Sequence, residues 1–142
     1  MDFTAFNEST IAAFRQNKGA VPGMPLLLLT TTGARTGIAR TTPLAYVPDG
    51  PGRYVVYASK LGAPRHPDWY YNLRSRPTVI VEVGAETFTA TATTVIGRER
   101  ERLYGAIVAA VPQVATHQGQ TSRVIPVVVL QRTDFDPTTH PA

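Results

Sequence analysis

A small antiparallel β-barrel with flanking helices is the fold this sequence predicts, and three observations predict it. Apolar and β-branched runs recur as about six strands, most of them joined by tight polar turns. Helical patterns are confined to the start of the chain and two insertions. Tight turns impose antiparallel pairing, and a sheet of this size hides its edges by closing on itself. A chain of 142 residues builds one real core and is too short for two comfortable domains. Its 43% hydrophobic and 17% charged residues are a globular balance. The expected division is a helix and link over 1–24, the barrel over 25–132 and a loose tail over 133–142.

Phe3, Phe6, Thr10 and Phe14 recur near helical spacing, so Asp2–Asn17 reads as an amphipathic helix stopped at Gly19. Its aromatic side either packs on the barrel or lies on a membrane, with Arg15 and Lys18 as anchors. Ala20–Pro25 is a breaker-rich link. Leu26–Leu29 carry no polar interruption, so Pro25–Thr31 reads as a central strand buried on both faces. Gly33-Ala34-Arg35-Thr36-Gly37 then turns the chain, and Ile38–Val47 returns as its partner. Pro48-Asp49-Gly50-Pro51-Gly52 is a turn, Arg53–Ser59 a third strand and Lys60–Pro64 a loop. Pro67 suits a first helical position and Asp68 a first turn, so Pro67–Ser75 is a short helix stopped by Pro77. Thr78–Val83 and Thr87–Ile96 make a hairpin around Gly84-Ala85-Glu86. Arg98–Val111 is a helix, with Leu103, Ile107 and Val111 at four-residue spacing and Pro112 behind them. Gln113–Arg123 is polar without a clear period, and Val124–Gln131 reads as a last buried strand.

Several chemistries are absent. Without cysteine there is no disulfide, thiolate metal site or cysteine nucleophile, which fits a cytoplasmic protein. No run approaches the roughly 20 apolar residues that span a bilayer, and Met1–Lys18 lacks a signal-peptide pattern. The expected location is therefore cytoplasmic, or peripheral on the cytoplasmic membrane face through the first helix. There is no GxGxxG, no Walker A, no serine elbow and no evident pair of acids. His66, His117 and His140 lie too far apart for ligand spacing, so no metal site is expected.

Charge is uneven. Between Arg35 and Arg76 seven bases face two acids, a local excess of +5 against a chain total of +4. Such a patch attracts a nucleic acid, an anionic membrane or a small polyanion. At the hairpin tip, Gly33 and Gly37 let N–H groups face outward, while Arg35 and Arg40 supply forked donors. The same residues would also make an ordinary solvated hairpin tip. Trp69, Tyr70, Tyr71 and Asn72 can flank a planar ring, and a core reading competes for each aromatic. Binding groups without acid–base machinery suit a ligand that brings its own reactivity.

Three stretches in order, TTTGARTGIARTTPL, YVVYASKLGAPRHPDWYYNLRSRP and RVIPVVVL, resemble the deazaflavin-dependent nitroreductase family, whose members use coenzyme F420. The resemblance spans roughly Leu26–Arg132. It implies a split β-barrel related to flavin-binding reductases, passing hydride from reduced F420 to quinones, nitro compounds or similar acceptors. It also implies that Arg35 and Arg40 hold the phosphate and acidic tail, with Lys60 assisting. Gly33, Thr36 and Gly37 would shape that turn, with Thr41 and Pro43 following on the cofactor side. Ala58 and Ser59 would line the deazaflavin ring, with Ser59 at the reacting face as the catalytic candidate. Trp69 and Asn72 would support the ring. Two departures stand out: Ala34 replaces a basic residue of the family's turn, and Ala45, Val114 and His117 occupy substrate-pocket positions that bear tyrosines in nitroimidazole reducers. A smaller, quinone-like or still unidentified acceptor is then expected, rather than a bulky nitroimidazole. The rival readings are FMN or haem in the same barrel and a nucleic-acid-binding barrel; both monomer and homodimer remain open.

Overall fold

The computed structural model describes residues 3–20, 25–62 and 64–133. The breaker-rich link at 21–24, the tail from 134 and the Phe3 and Phe6 side chains lie outside the described residues. The first helix, α1 (Phe3–Gln16), precedes strands β1 (Leu26–Thr32), β2 (Ala39–Ala45), β3 (Val47–Pro48) and β4 (Arg53–Tyr57). A single 3-10 turn over Lys60–Gly62 leads to α2 (Asp68–Ser75), β5 (Thr78–Val83) and β6 (Glu86–Thr94). Helices α3 (Gly97–Ala110) and α4 (Gln113–Gly119) come before the last strand, β7 (Val127–Arg132).

All pairings are antiparallel, in the order β2-β1-β5-β6-β7-β4-β3. The two margins of this sheet, β2 and β3, are separated in sequence by Tyr46 alone. One stretch of chain therefore supplies both edges, and the sheet must curl round to meet itself. The expected Ile38–Val47 strand is thus two strands with a bend between them. Tyr46 turns inward there, its ring 5.5 Å from Tyr54 in an edge-on contact.

Closure is incomplete. Strand β2 pairs along its length with β1, whereas β3 gives β4 only Val47 and Pro48. Beside Ala39–Ala45 and the far end of β4 the sheet is left unsewn, and Pro43 blunts that free edge.

The inside is filled by Leu27, Leu29, Val56, Val79, Val81, Phe88, Val128 and Leu130. Helix α2 closes one mouth by driving Trp69, Tyr70 and Leu73 into the same core. A second cluster, Leu103, Ile107 and Val114 against Val55, Val127 and Val129, fastens α3 and α4 to the outer face. Against the β1–β2 hairpin lies α1: Phe14 is buried, and Arg15 forks onto Glu82 at 3.1 and 2.9 Å.

The polar stretch that gave no clear period forms α4 over Gln113–Gly119, held by the one buried residue Val114. The last strand begins at Val127 and not Val124, because Arg123 and Pro126 are engaged with the end of β4. Pro67, expected as the first helical residue, is instead the N-cap of α2, extended at φ −66 and ψ 154, so the helix begins one residue later, at Asp68.

Near the opposite mouth, Arg53, Asp49, Arg102 and Glu99 share one ion-pair network with contacts of 2.8 to 3.5 Å. Arg102 first, then Arg53, holds the Asp49 carboxyl below its ordinary range. A depressed carboxylate stabilises the fold above its unfolded value and loses that contribution as pH falls through the folded one. Replacing Arg102 with glutamine should destabilise the fold only slightly, as the loss of an exposed pair does. In urea unfolding the cost should shrink in acid; an equal cost at pH 7 and in strong acid would contradict this account.

Candidate functional site

Antiparallel alternation brings the C-terminal ends of β1, β4 and β6 to the mouth that α2 covers. The β1–β2 tip, the Ser59–Lys60 turn and α2 thus share one end of the barrel.

The tip is built by its own bonds. The Gly33 N–H donates to the Ile38 carbonyl at 2.9 Å, and the Gly37 N–H to the Gly33 carbonyl at 2.9 Å. Ile38 N–H donates to Thr36 Oγ1 at 3.2 Å. Gly37 has φ +70, the left-handed region that suits glycine, and a Cβ on Gly33 would stand 2.6 Å from Thr36 Oγ1. Among the described residues no bond leaves the N–H groups of Arg35 and Thr36. Two unspent donors thus accompany the exposed Arg35 and Arg40 side chains.

Asn72 ties this tip to α2. Its Oδ1 accepts from the Ala34 N–H at 3.0 Å, and its Nδ2 donates to Thr31 Oγ1 at 3.2 Å. One amide thus spans the tip and the buried end of β1. Asn72→Ala should cost about 1 kcal/mol of stability. It should also weaken anion binding at the tip several-fold; unchanged binding in a folded variant would detach Asn72 from the site.

On the facing side, Lys60 is exposed and takes φ +45, and Gly62 takes φ +78. Ser59 is almost buried. Helix α4 leans on this turn: a Cβ on Gly62 would stand 2.8 Å from the His117 carbonyl oxygen. His117 therefore borders the site, and its Nδ1 is buried without a partner among the described residues.

Sequence reasoning missed Arg123, which holds this turn from behind. It donates to the Ala58 carbonyl at 2.9 Å and to the Ser59 carbonyl at 2.6 Å. Its Nη1 also stands 3.0 Å from His66 Nδ1. Burial draws its pKa down from the ordinary value. The only sequence sign of it was its place at the head of RVIPVVVL.

The electrostatics of the two mouths differ. Arg15, Arg53, Arg102 and Arg132 are each paired with a carboxylate away from the site. Arg35, Arg40, Lys60, Arg65, Arg74 and Arg76 make no ion pair among the described residues. Arg65 and Arg74 lie over the Tyr71 and Tyr70 rings, at 5.5 and 5.6 Å. The charge excess read from the sequence is therefore a surface feature of the α2 mouth.

The structure gathers Gly33, Arg35, Thr36, Gly37, Arg40, Ser59, Lys60 and Asn72 at this mouth, with Thr41 and Pro43 running down the free edge of β2 and His117 alongside. Ala58 and Trp69 are buried, so they support the site from beneath. Two residues expected in a substrate pocket stand elsewhere. Val114 is buried against Leu103 and Ile107, because α4 needs an apolar anchor. Ala45 pairs with Leu26 at the end of the hairpin remote from the tip. A groove of about 490 Å³ on the outer face, lined by Arg53, Thr91, Thr93 and Glu99 among others, includes none of the site residues. Exposed cations, unspent N–H groups and an open seam fit a polyanion attached to a flat ring.

The family model described as F420H(2)-dependent quinone reductase matches residues 7–132. An F420H(2)-dependent quinone reductase of Mycobacterium tuberculosis strain H37Rv is 44% identical over 116 residues, covering 79% of this chain and 77% of its own. A solved F420-H2 dependent reductase superposes with a TM-score of 0.69 at 42% identity, covering 75% of this chain and 94% of that one. A solved domain-swapped dimer gives a TM-score of 0.70 at 38% identity, over 87% and 95% of the two chains. The heme storage protein HutZ of Vibrio cholerae, at 20% identity and a TM-score of 0.57 over 90% and 91%, shares the fold alone.

Proposed function

The chain belongs to the F420H(2)-dependent quinone reductase family, and from that premise we propose how its basic mouth serves the reaction. It is an oxidoreductase that uses coenzyme F420 and reduces a quinone. When bound, the reduced cofactor supplies the hydride, which leaves the protein to bind, orient and exclude water.

Arg35 and Arg40, helped by Lys60, take the phosphate and carboxylates of the cofactor's tail; Gly33, Thr36 and Gly37 shape the turn that presents them. Thr41 and Pro43 continue the contact along the free edge of β2. Ala58 and Ser59 form the shelf for the ring, with the Ser59 hydroxyl on its reacting side. Trp69 supports that shelf from the core, and Asn72 keeps the tip at its distance from α2. On the acceptor side, His117 is the polar group that remains once Val114 and Ala45 are placed elsewhere. Small nitro compounds are a second acceptor class in this proposal, and a homodimer is the assembly it would share with the domain-swapped neighbour. Among the described residues no helix is long and apolar enough to cross a membrane, so contact with a quinone-bearing bilayer would be peripheral, through α1.

The observation that carries the proposal is the coincidence of uncompensated cations and unspent N–H groups at one mouth. Titration of F420 with the protein, followed by fluorescence, should show saturable binding at micromolar concentrations. No binding in that range would overturn the assignment of this mouth.

A further inference from the structure

We propose that Arg123 is the positioning residue of the Ser59–Lys60 shelf, and that His66 locks it in place only while neutral. The inference rests on the reading that this shelf takes the cofactor's ring.

Backbone bonds hold the shelf only in part: the Ala58 N–H donates to the Pro126 carbonyl at 3.0 Å and the Gly62 N–H to the Ser59 carbonyl at 2.9 Å. The shelf leaves β4 at Tyr57 and passes through the left-handed backbone of Lys60. Arg123 gathers its two carbonyls, Ala58 and Ser59, onto one planar guanidinium. The other side of Arg123 is fixed by Gln118 of α4: its Nε2 donates to the Arg123 carbonyl at 2.7 Å, and its Oε1 accepts from the Ile125 N–H at 2.9 Å. A displacement of the guanidinium therefore moves the shelf itself.

The lock is His66. A guanidinium has only donors, so at 3.0 Å His66 Nδ1 must accept, which leaves the proton on Nε2 and the ring neutral. Burial and the two cations nearest the ring favour that state. Arg123 approaches from the segment before β7, and Arg74 adds a cation from α2. The Tyr70 and Tyr71 rings stand 4.9 and 5.5 Å away, and the His66 backbone N–H donates to the Tyr71 hydroxyl at 3.3 Å. Arg65, next in sequence, lies over Tyr71. Among the described residues no carboxylate lies within ion-pair distance of His66. Burial, then Arg123, then Arg74, accordingly holds His66 below the ordinary imidazole value.

Protonation would set donor against donor and cation against cation. A group with a depressed folded value that must stay neutral contributes fully above its unfolded pKa, and that contribution fades as pH falls through the folded one. The shelf should therefore loosen in mild acid while the tip, built from arginines, does not.

The test compares wild type, His66→Gln and Arg123→Met over roughly pH 5 to 8, the range in which histidines titrate. Glutamine keeps an acceptor for Arg123 and cannot charge. Wild-type affinity for F420 should fall in acid relative to His66→Gln, with the two within about twofold at neutral pH. Their ratio cancels any titration of the cofactor. Arg123→Met should lose about tenfold in affinity. In the unliganded protein, ring nitrogen shifts should report the Nε2–H tautomer and a His66 pKa that rises in Arg123→Met; if that variant does not fold, Arg123→Gln, which is also uncharged, takes its place. Parallel pH profiles for wild type and His66→Gln, or a protonated Nδ1, would overturn the inference and leave the cofactor assignment standing. A wild type that binds no F420 even at neutral pH would overturn that assignment first.

Discussion

Replacing Arg35 and Arg40 together with alanine should lower the affinity for F420 by roughly a hundred- to a thousandfold while leaving the melting temperature unchanged. Each guanidinium offers charge-assisted, forked donors, and loss of a hydrogen bond to a charged group costs about 1.5–3 kcal/mol. Two such losses, partly shared because the side chains serve one anion, give the range expected. Stability should hold because both side chains are exposed and neither makes an ion pair among the described residues. Arginine-to-lysine changes keep charge but lose the fork, so they should fall between. Fluorescence titration beside a thermal melt reads both quantities. A double variant that binds as wild type would remove the tip from the cofactor site, whatever its melting temperature.

The second large effect concerns stability. Gly62→Ala should destabilise the protein by about 2–4 kcal/mol, since a left-handed backbone with a Cβ costs about 1–2 kcal/mol before any collision. Here there is a collision as well: the new carbon would stand 2.8 Å from the His117 carbonyl oxygen and 2.9 Å from Gln120 Oε1. The glutamine can swing away; the carbonyl belongs to α4 and cannot without moving the helix. Urea unfolding measures the cost. A companion change, Gly50→Ala, has similar φ (+85) but nothing within 4 Å, so it should show the backbone strain alone. Equal costs at the two positions would mean that α4 does not press on the turn.

What the sequence made legible were features whose cause is local. Four uninterrupted leucines and a Gly-bounded turn specify the β1–β2 hairpin, and alternation in TVIVEV and ETFTATATT specifies the β5–β6 pair. The glycine- and arginine-bearing tip was legible for the same reason, because those residues lie within eight positions of one another. Features created by closure were not. Val47 and Pro48 are a strand only because β4 comes round beside them. Helix α4 has a single buried residue, too few for a period to show. Val114, placed by resemblance in a substrate pocket, is that anchor. Arg123 and His66 are 57 residues apart and meet only because β4 and β7 are neighbours. No spacing rule joins residues across a barrel. Trp69 was open to two readings, core or ring support; its burial shows that it belongs to the core.

Among the described residues the cations of the α2 mouth are unpaired while those of the opposite mouth are neutralised by carboxylates, so the positive field is one-sided. An approaching anion feels that field before it touches any side chain, so it should be turned toward the α2 end during diffusion. The gain is kinetic: capture quickens at low ionic strength and slows as salt shortens the reach of the field to about 8–10 Å. Escape, governed by close contacts, changes far less. Even a weakly held cofactor would thus find its slot quickly.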